Sequence, residues 1–504
     1  MKFLIIDTAL TMDLARRLRQ DGHEVFYYVN WFRTHPEVFE TQYGNGFFEE
    51  WGVKSVKDYL ETAEQVDCVV VSDVGMIRDV DKLREKGIKV FGASSKGQRL
   101  EFDRGYAKKV FEENGLLVPK SRSFTTISEG IKVVEKEKRP FAVKGDESMG
   151  VGECKTYIGH APEDTIFFLE QWREKIGEKV NYIMEDVIDG VEVACGGWFN
   201  GKEFVDPINI NFEFKRLFPN CPSSILTGEM GSVFRYVNKK SCPIYQHSIG
   251  KLEKFLAENY GAGYFDLNAI ANNDGLYILE ATARFGIPSI QIQQNLHLDD
   301  MGKLLMGCAE GTAKTFEAYD GWATGVCLVA GGYPYDEAVK RSDWSVIFGV
   351  DEALKAKRRV NLIGVIKDDK KLVRVLPGMG VLLVCTGLGK TLGESMNEAY
   401  DTIESLYLKD GCYRDDIGLR LFSERENLKA WGLLTDQSVY DSITVAPAEE
   451  ERKPEPAPEP KGEKLRHEEE SGGQVKRTGK FKRAERIEAD LRELSIIVDE
   501  LKIK

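Results

Sequence analysis

Phe3-Leu4-Ile5-Ile6 forms a short apolar run, and a helical spacing through Leu14 and Leu18 leads past Gly22 to a second run, Val25-Phe26-Tyr27-Tyr28. Cys68-Val69-Val70-Val71 and Ile88-Lys89-Val90-Phe91 continue the same rhythm. Apolar runs that alternate with helical patterns predict a parallel α/β domain over 1–92. The turn after the first run, Asp7-Thr8-Ala9-Leu10, has no glycine, so it carries no dinucleotide fingerprint.

From 93 to 315 the pattern is mixed, as in an α+β unit. It predicts a helix around 100–114, a strand at 141–144, a glycine-bearing loop, a helix at 164–175, a strand at 181–187 and further strands up to 282. Over 316–430, apolar stretches from Thr324 to Ala330 and from Val381 to Thr386, with a helix around 393–407, predict a small C-terminal α/β domain. Past Val445 the character changes. Residues 446–480 hold five prolines, many Glu and Lys and no aromatic residue, the composition of a disordered linker. In 481–504 the residues Ile487, Leu491, Leu494, Val498 and Leu501 recur at 4-3-4-3 spacing, which predicts an amphipathic terminal helix. Such a helix docks on its own chain, self-associates or receives a protein partner.

A chain of 504 residues exceeds one core and implies several domains, at about 150 residues each. Hydrophobic residues at 42% and charged residues at 30% are the balance of a soluble globular protein. No stretch approaches a membrane span, and the acid at position 7 comes too early for a secretory leader, so the expected compartment is cytoplasmic, with no membrane partner. The nine cysteines are scattered without a CxxC pair, which argues against zinc and disulfide frameworks. A net charge of -13 argues against a nucleic-acid partner and favours small-molecule substrates.

Candidate chemistry centres on a hairpin. Tyr264-Phe265-Asp266-Leu267-Asn268 and Tyr277-Ile278-Leu279-Glu280-Ala281-Thr282 flank the turn Asn272-Asn273-Asp274-Gly275. Period-two alternation puts Asp266 and Asn268 on one face, and Glu280 and Thr282 likewise on one face of the partner strand. Carboxylates on facing strands with oxygen-bearing neighbours suit Mg²⁺ held against nucleotide phosphates, though an ordinary half-exposed hairpin has the same pattern. Upstream, Lys144 ends an apolar strand and precedes Gly145-Asp146-Glu147-Ser148-Met149-Gly150-Val151-Gly152. A lysine beside a glycine loop can hold phosphate oxygens, but no Gly-Lys-Ser/Thr follows and a plain turn reads equally well. The stretch Ile183 to Val193 is a strand, a connector and another strand, a connector able to meet adenine and ribose.

In this order and spacing the segments resemble the ATP-grasp family, whose two lobes clamp ATP. The similarity extends to the phosphoribosylamine–glycine ligase branch over about 1–425. It is carried by Phe214-Lys215-Arg216, by Thr227-Gly228-Glu229-Met230-Gly231 and by Leu279-Glu280-Ala281-Thr282-Ala283-Arg284-Phe285-Gly286. Further on it is carried by Gly332-Tyr333-Pro334, Val381-Leu382-Leu383-Val384 and Tyr413-Arg414-Asp415-Asp416-Ile417-Gly418. The resemblance implies that Lys108 and Lys144 bind phosphates and that Glu185, Val187 and Glu192 line the ATP hinge. It also implies that Asp266, Glu280 and Thr282 hold metal and that Lys215 and Arg284 serve catalysis. ATP and Mg²⁺, with Mn²⁺ as an alternative, would be the cofactors, and a carboxylate and an amine the substrates. Where the family has Glu-x-Asn this chain has Glu280-Ala281-Thr282, and the family's glycine-rich N-terminal turn is replaced by Asp7-Thr8-Ala9-Leu10-Thr11. Three functions follow from the resemblance: glycine ligation in purine biosynthesis, the same chemistry on other substrates, or a catalytically silent nucleotide-binding scaffold.

Overall fold

Five short strands, β1 (Lys2–Asp7), β2 (Glu24–Val29), β3 (Lys54–Ser55), β4 (Cys68–Val71) and β5 (Val90–Phe91), pair in parallel in the order β3-β2-β1-β4-β5. The computed structural model describes residues 1–30, 35–74, 80–145, 156–219, 224–334 and 340–434. The glycine loop beyond Gly145, the linker 446–480 and the terminal helix 481–504 expected from the sequence lie outside these residues.

The apolar runs become strands because both sheet faces are covered. Phe3 and Ile5 enter the main core, whereas Leu4, Ile6, Val69 and Val71 pack into a second cluster on the opposite face. Burial on both sides is what gives a parallel strand a continuous apolar run rather than an alternating one.

A second body follows. Strands β6 (Ser121–Thr126), β7 (Phe141–Gly145), β8 (Tyr157–Ile158) and β9 (Lys179–Asp186) form an antiparallel sheet in the order β6-β9-β7-β8. Helices Ile127–Glu137 and Pro162–Ile176 belong to the same body. Its core, with Phe124, Phe141, Leu169, Trp172 and Tyr182, is separate from the main one.

The large sheet has eight strands: β10 (Val191–Asn200), β11 (Ile208–Glu213), β12 (Gly231–Val237), β13 (Ala262–Asn272), β14 (Gly275–Thr282), β15 (Trp322–Val329), β16 (Arg359–Leu362) and β19 (Val381–Gly389). Their order is β14-β13-β10-β11-β12-β15-β19-β16, and β17 (Val365–Lys367) and β18 (Val373–Val375) make a separate ribbon. The C-terminal strands β15, β19 and β16 thus continue the sheet of the preceding lobe. The helix Leu392–Ile403, closed at its N-terminus by a capping box between Thr391 and Glu394, belongs with them. Among the described residues no helix is long and apolar enough to cross a membrane. The architecture is an N-terminal parallel α/β sheet, a small and a large antiparallel lobe, and C-terminal α/β elements.

The segment expected to form one helix around 100–114 is two, Ser95–Phe102 and Arg104–Glu113, divided at Asp103. The Asp103 side chain accepts from Tyr106 N at 2.9 Å and so caps the second helix. That break sets the direction from which Arg104 and Lys108 enter the site.

Candidate active site

Three charged clusters lie along the edges where these bodies meet. In the small lobe, Glu185 of β9 is gripped from both sides. Lys108 Nζ stands 2.7 Å from one carboxylate oxygen and Lys144 Nζ, at the end of β7, 2.9 Å from the other. Antiparallel pairing of β7 with β9 sets Ala142 opposite Glu185, so Lys144, two residues along, shares its face. Burial disfavours the charged carboxylate, yet the two ammonium groups outweigh that effect and hold Glu185 below the usual range. Burial also lowers the pKa of Lys108, with Glu185 acting in opposition. Two cations share one anion here, which leaves a net positive charge.

The second cluster is on the large sheet. Lys215 lies 3.0 Å from Glu213, 3.1 Å from Glu192 and 3.3 Å from Glu280. Arg104 reaches Glu280 at 3.5 Å, from the helix whose next turn carries Lys108. One helix therefore spans both clusters. Lys215 first, with Arg104 and Lys144 adding, holds the Glu280 carboxyl down to about 2 against the effect of burial. That Lys144 acts on Glu280 brings the small lobe's lysine and the hairpin's glutamate into one electrostatic field.

Register β13–β14 sets Asn268 opposite Glu280 and Asp266 opposite Thr282. Asn268 Nδ2 donates to Glu213 Oε2 at 2.5 Å, while its Oδ1 is buried with no partner among the described residues. Asp266 is buried as well. Desolvation first, then the nearby Glu213 charge, raise its carboxyl to about 7, and the Tyr264 hydroxyl donates to it at 3.1 Å. It lies against Gly196 of β10, where a Cβ would run into both the Asp266 carboxylate and the Tyr264 hydroxyl. Only glycine leaves space for that pair. Below them Tyr264, Asn209 and Gln293 form a buried polar seam, with Gln293 Nε2 donating to Tyr264 Oη at 2.8 Å.

Arg284 belongs to a third group. Its Nε lies 3.0 Å from Glu101 and 3.2 Å from Asp73, and Glu101 also accepts from Ala283 N at 2.8 Å. It thereby ties the end of the hairpin to the carboxyl end of the N-terminal sheet. Val187 follows directly after β9 and Glu192 stands on β10, one on each side of the connector between the lobes.

Sequence reasoning singled out Lys108, Lys144, Glu185, Glu192, Lys215, Asp266, Glu280, Thr282 and Arg284, and folding draws most of them into the first two clusters. It passed over Arg104, Glu213 and Glu101, which lie in segments with no motif of their own, and named Asn268 only as an oxygen-bearing neighbour on the face of Asp266. It also passed over Arg414 as a positioning group. Arg414 forks onto Asp416 at 2.7 and 2.6 Å and donates to Arg216 O at 2.8 Å, holding the strand end that carries Lys215.

No family profile matches the chain. Its fold is similar to that of the phosphoribosylamine–glycine ligase from Thermotoga maritima, whose structure superposes with a TM-score of 0.63 at 23% identity, covering 83% of this chain and 100% of that one. The biotin carboxylase domain of Hydrogenobacter thermophilus 2-oxoglutarate carboxylase, solved with MgADP and bicarbonate, superposes with a TM-score of 0.55 at 13% identity, over 82% of this chain and 91% of that one. In sequence the chain is similar to phosphoribosylamine–glycine ligases. The Clostridium acetobutylicum enzyme is 25% identical over 388 residues, 73% of this chain and 89% of the relative.

Proposed function

We propose that the chain is an ATP-dependent carboxylate–amine ligase. The observation that carries this reading is the Lys108–Glu185–Lys144 group of the small lobe, net positive, set in the field of Glu280 on the large sheet. A polyphosphate between the lobes would meet ammonium groups on one side and carboxylates able to share a cation on the other.

The oxygen donors present fit Mg²⁺. Among the described residues no set of three or more Asp, Glu, His or Cys side chains is arranged to hold a metal ion. Mg²⁺ characteristically takes one or two carboxylates and completes its shell with substrate phosphates and water. Glu280 and the unpartnered Oδ1 of Asn268 would hold it, with Asp266 behind them and Thr282 at the strand end. When bound, the ion would neutralise charge on the transferring phosphoryl group.

The chain's own residues do the remainder. Lys144 and Lys108 fix the phosphates, and Glu185 orients both ammonium groups. Lys215 holds Glu280, Glu192 and Glu213 in place, which keeps the carboxylate face ordered before a nucleotide arrives. The substrate carboxylate attacks the γ-phosphorus, and the bond from that phosphorus to ADP breaks. The amine then attacks the acyl carbon, inorganic phosphate leaves and the amine loses its proton. Arg284, with a planar guanidinium suited to carboxylate or acyl phosphate, stands where the N-terminal sheet meets the hairpin.

Phosphoribosylamine with glycine, as in purine biosynthesis, is the pairing that the relatives' names suggest. The test is release of ADP and phosphate from MgATP, with amino acids crossed against a panel of amines. ADP formation that requires both a carboxylate and an amine is the expected result. MgATP binding without turnover on any pair would replace the ligase by a silent nucleotide-binding protein.

A further inference from the structure

In an open parallel sheet, ligands bind beyond the carboxyl ends of the strands where the strand order reverses. Here the chain runs from β1 outward through β2 to β3 on one side and then resumes at β4 on the other, so the switch point lies between β1 and β4. Helix Met12–Gln20 starts just after β1, and a helix N-terminus facing such a crevice ordinarily receives an anion such as a phosphate.

This one is already filled. Asp7, the last residue of β1, is wholly buried, and its Oδ2 accepts from Leu10 N at 2.7 Å and Thr11 N at 3.0 Å. The Tyr27 hydroxyl from β2 donates to the same oxygen, and the Ser72 hydroxyl just after β4 donates to Oδ1. Two backbone amides and two hydroxyls from three segments are the donors a phosphate would use, and a side-chain carboxylate has taken them all.

The rim repeats the message. Asp73 accepts from Thr8 Oγ1 at 2.7 Å and, with Glu101, surrounds Arg284. With Asp7 that makes three carboxylates and one guanidinium among the described residues of this crevice, a net negative charge toward an approaching phosphate dianion. Gln291, 1% exposed, lies against the same turn: its Nε2 donates to Leu10 O at 2.6 Å and its Oε1 is buried without a donor among the described residues. An N–H group is what that oxygen lacks.

We infer that the amine substrate carries no phosphate, and that Asp7 is the residue that excludes phosphorylated amines. This rests on the ligase reading and narrows it: the acceptor is an unphosphorylated amine, and phosphoribosylamine is not accepted. Specificity set by a buried unfavourable charge, rather than by an added contact, is a recurrent device.

The test is a calorimetric titration of the full chain with ribose 5-phosphate and with inorganic phosphate, the nucleotide site being filled with MgADP. Wild type is expected to show no saturable binding at millimolar concentration. Asp7→Gly, which vacates the four donors, is expected to bind ribose 5-phosphate at least about tenfold more tightly. Should Asp7→Gly fail to fold, Asp7→Asn, which keeps the shape and removes the charge, is compared with wild type. Saturable submillimolar binding by wild type, or ADP release with phosphoribosylamine and glycine, overturns the inference. Equal affinities of wild type and the folded variant overturn the role of Asp7. Absence of ADP release with every carboxylate–amine pair is failure of the ligase reading instead, and the titration is read without turnover.

Discussion

Lys144 sets its ammonium 2.9 Å from the Glu185 carboxylate, with both side chains buried. Because Lys108 holds the other carboxylate oxygen, Lys144→Ala leaves Glu185 one partner and the fold intact. ATP turnover should be abolished while the melting transition stays cooperative, and ADP formation at the wild-type rate would remove Lys144 from the site. Glu185→Ala is different in kind: it leaves two buried ammonium groups facing each other. Removing one partner of a buried pair costs about 3–5 kcal/mol, so that variant should show a lower denaturation midpoint in urea.

Glu280 is 38% exposed at its side chain, so Glu280→Ala opens no core cavity. It should eliminate ADP release while the chain still folds. Thr282→Asn restores an amide oxygen at the neighbouring face position. ADP formation in that variant should saturate at lower Mg²⁺, and loss of nucleotide binding would show that Thr282 has another task.

His297 is stacked flat on Phe316 at 4.4 Å, and its Nε2 lies 2.7 Å from the Tyr236 hydroxyl. Burial first, then Arg17, lower its pKa from the ordinary 6.5 of histidine to about 3. The unfolded chain binds this proton as pH falls through about 6.5 and the native state does not until near 3, so stability drops on acidification across that window. At pH 5 the loss attributable to this group is about 2 kcal/mol. His297→Phe should flatten the dependence of the urea midpoint between pH 7 and 5 relative to wild type; unchanged slopes would refute the assignment.

Every residue of the proposed site falls within the compact unit Met1–Val445. Deleting 446–504 should therefore leave ADP formation nearly unchanged. If the seam of Ile487, Leu491, Leu494, Val498 and Leu501 mediates self-association, the deletion and Leu494→Glu should both lower the number of copies per particle measured by light scattering. An equal number of copies for all three chains would exclude it.

What the sequence determined by itself was local. Buried β1 and β4 were legible because strands covered on both faces are apolar throughout, and the β13–β14 hairpin because its turn residues and alternation are adjacent in the chain. The faces of Asp266, Asn268, Glu280 and Thr282 followed from the two-residue period alone. Tertiary structure decided what depends on distant segments meeting. Lys108, Lys144 and Glu185 come from a helix and two strands, and their spacing in the chain carries no trace of the shared carboxylate. The sequence over 316–430 suggested a separate domain, yet β15, β19 and β16 extend the large sheet, since strand pairing depends on which edge is open rather than on local pattern. Asp7 is the clearest case. Its departure from a glycine turn is visible in the sequence, but that its carboxylate fills an anion site is decided by Tyr27 and Ser72, which only the folded sheet brings to it.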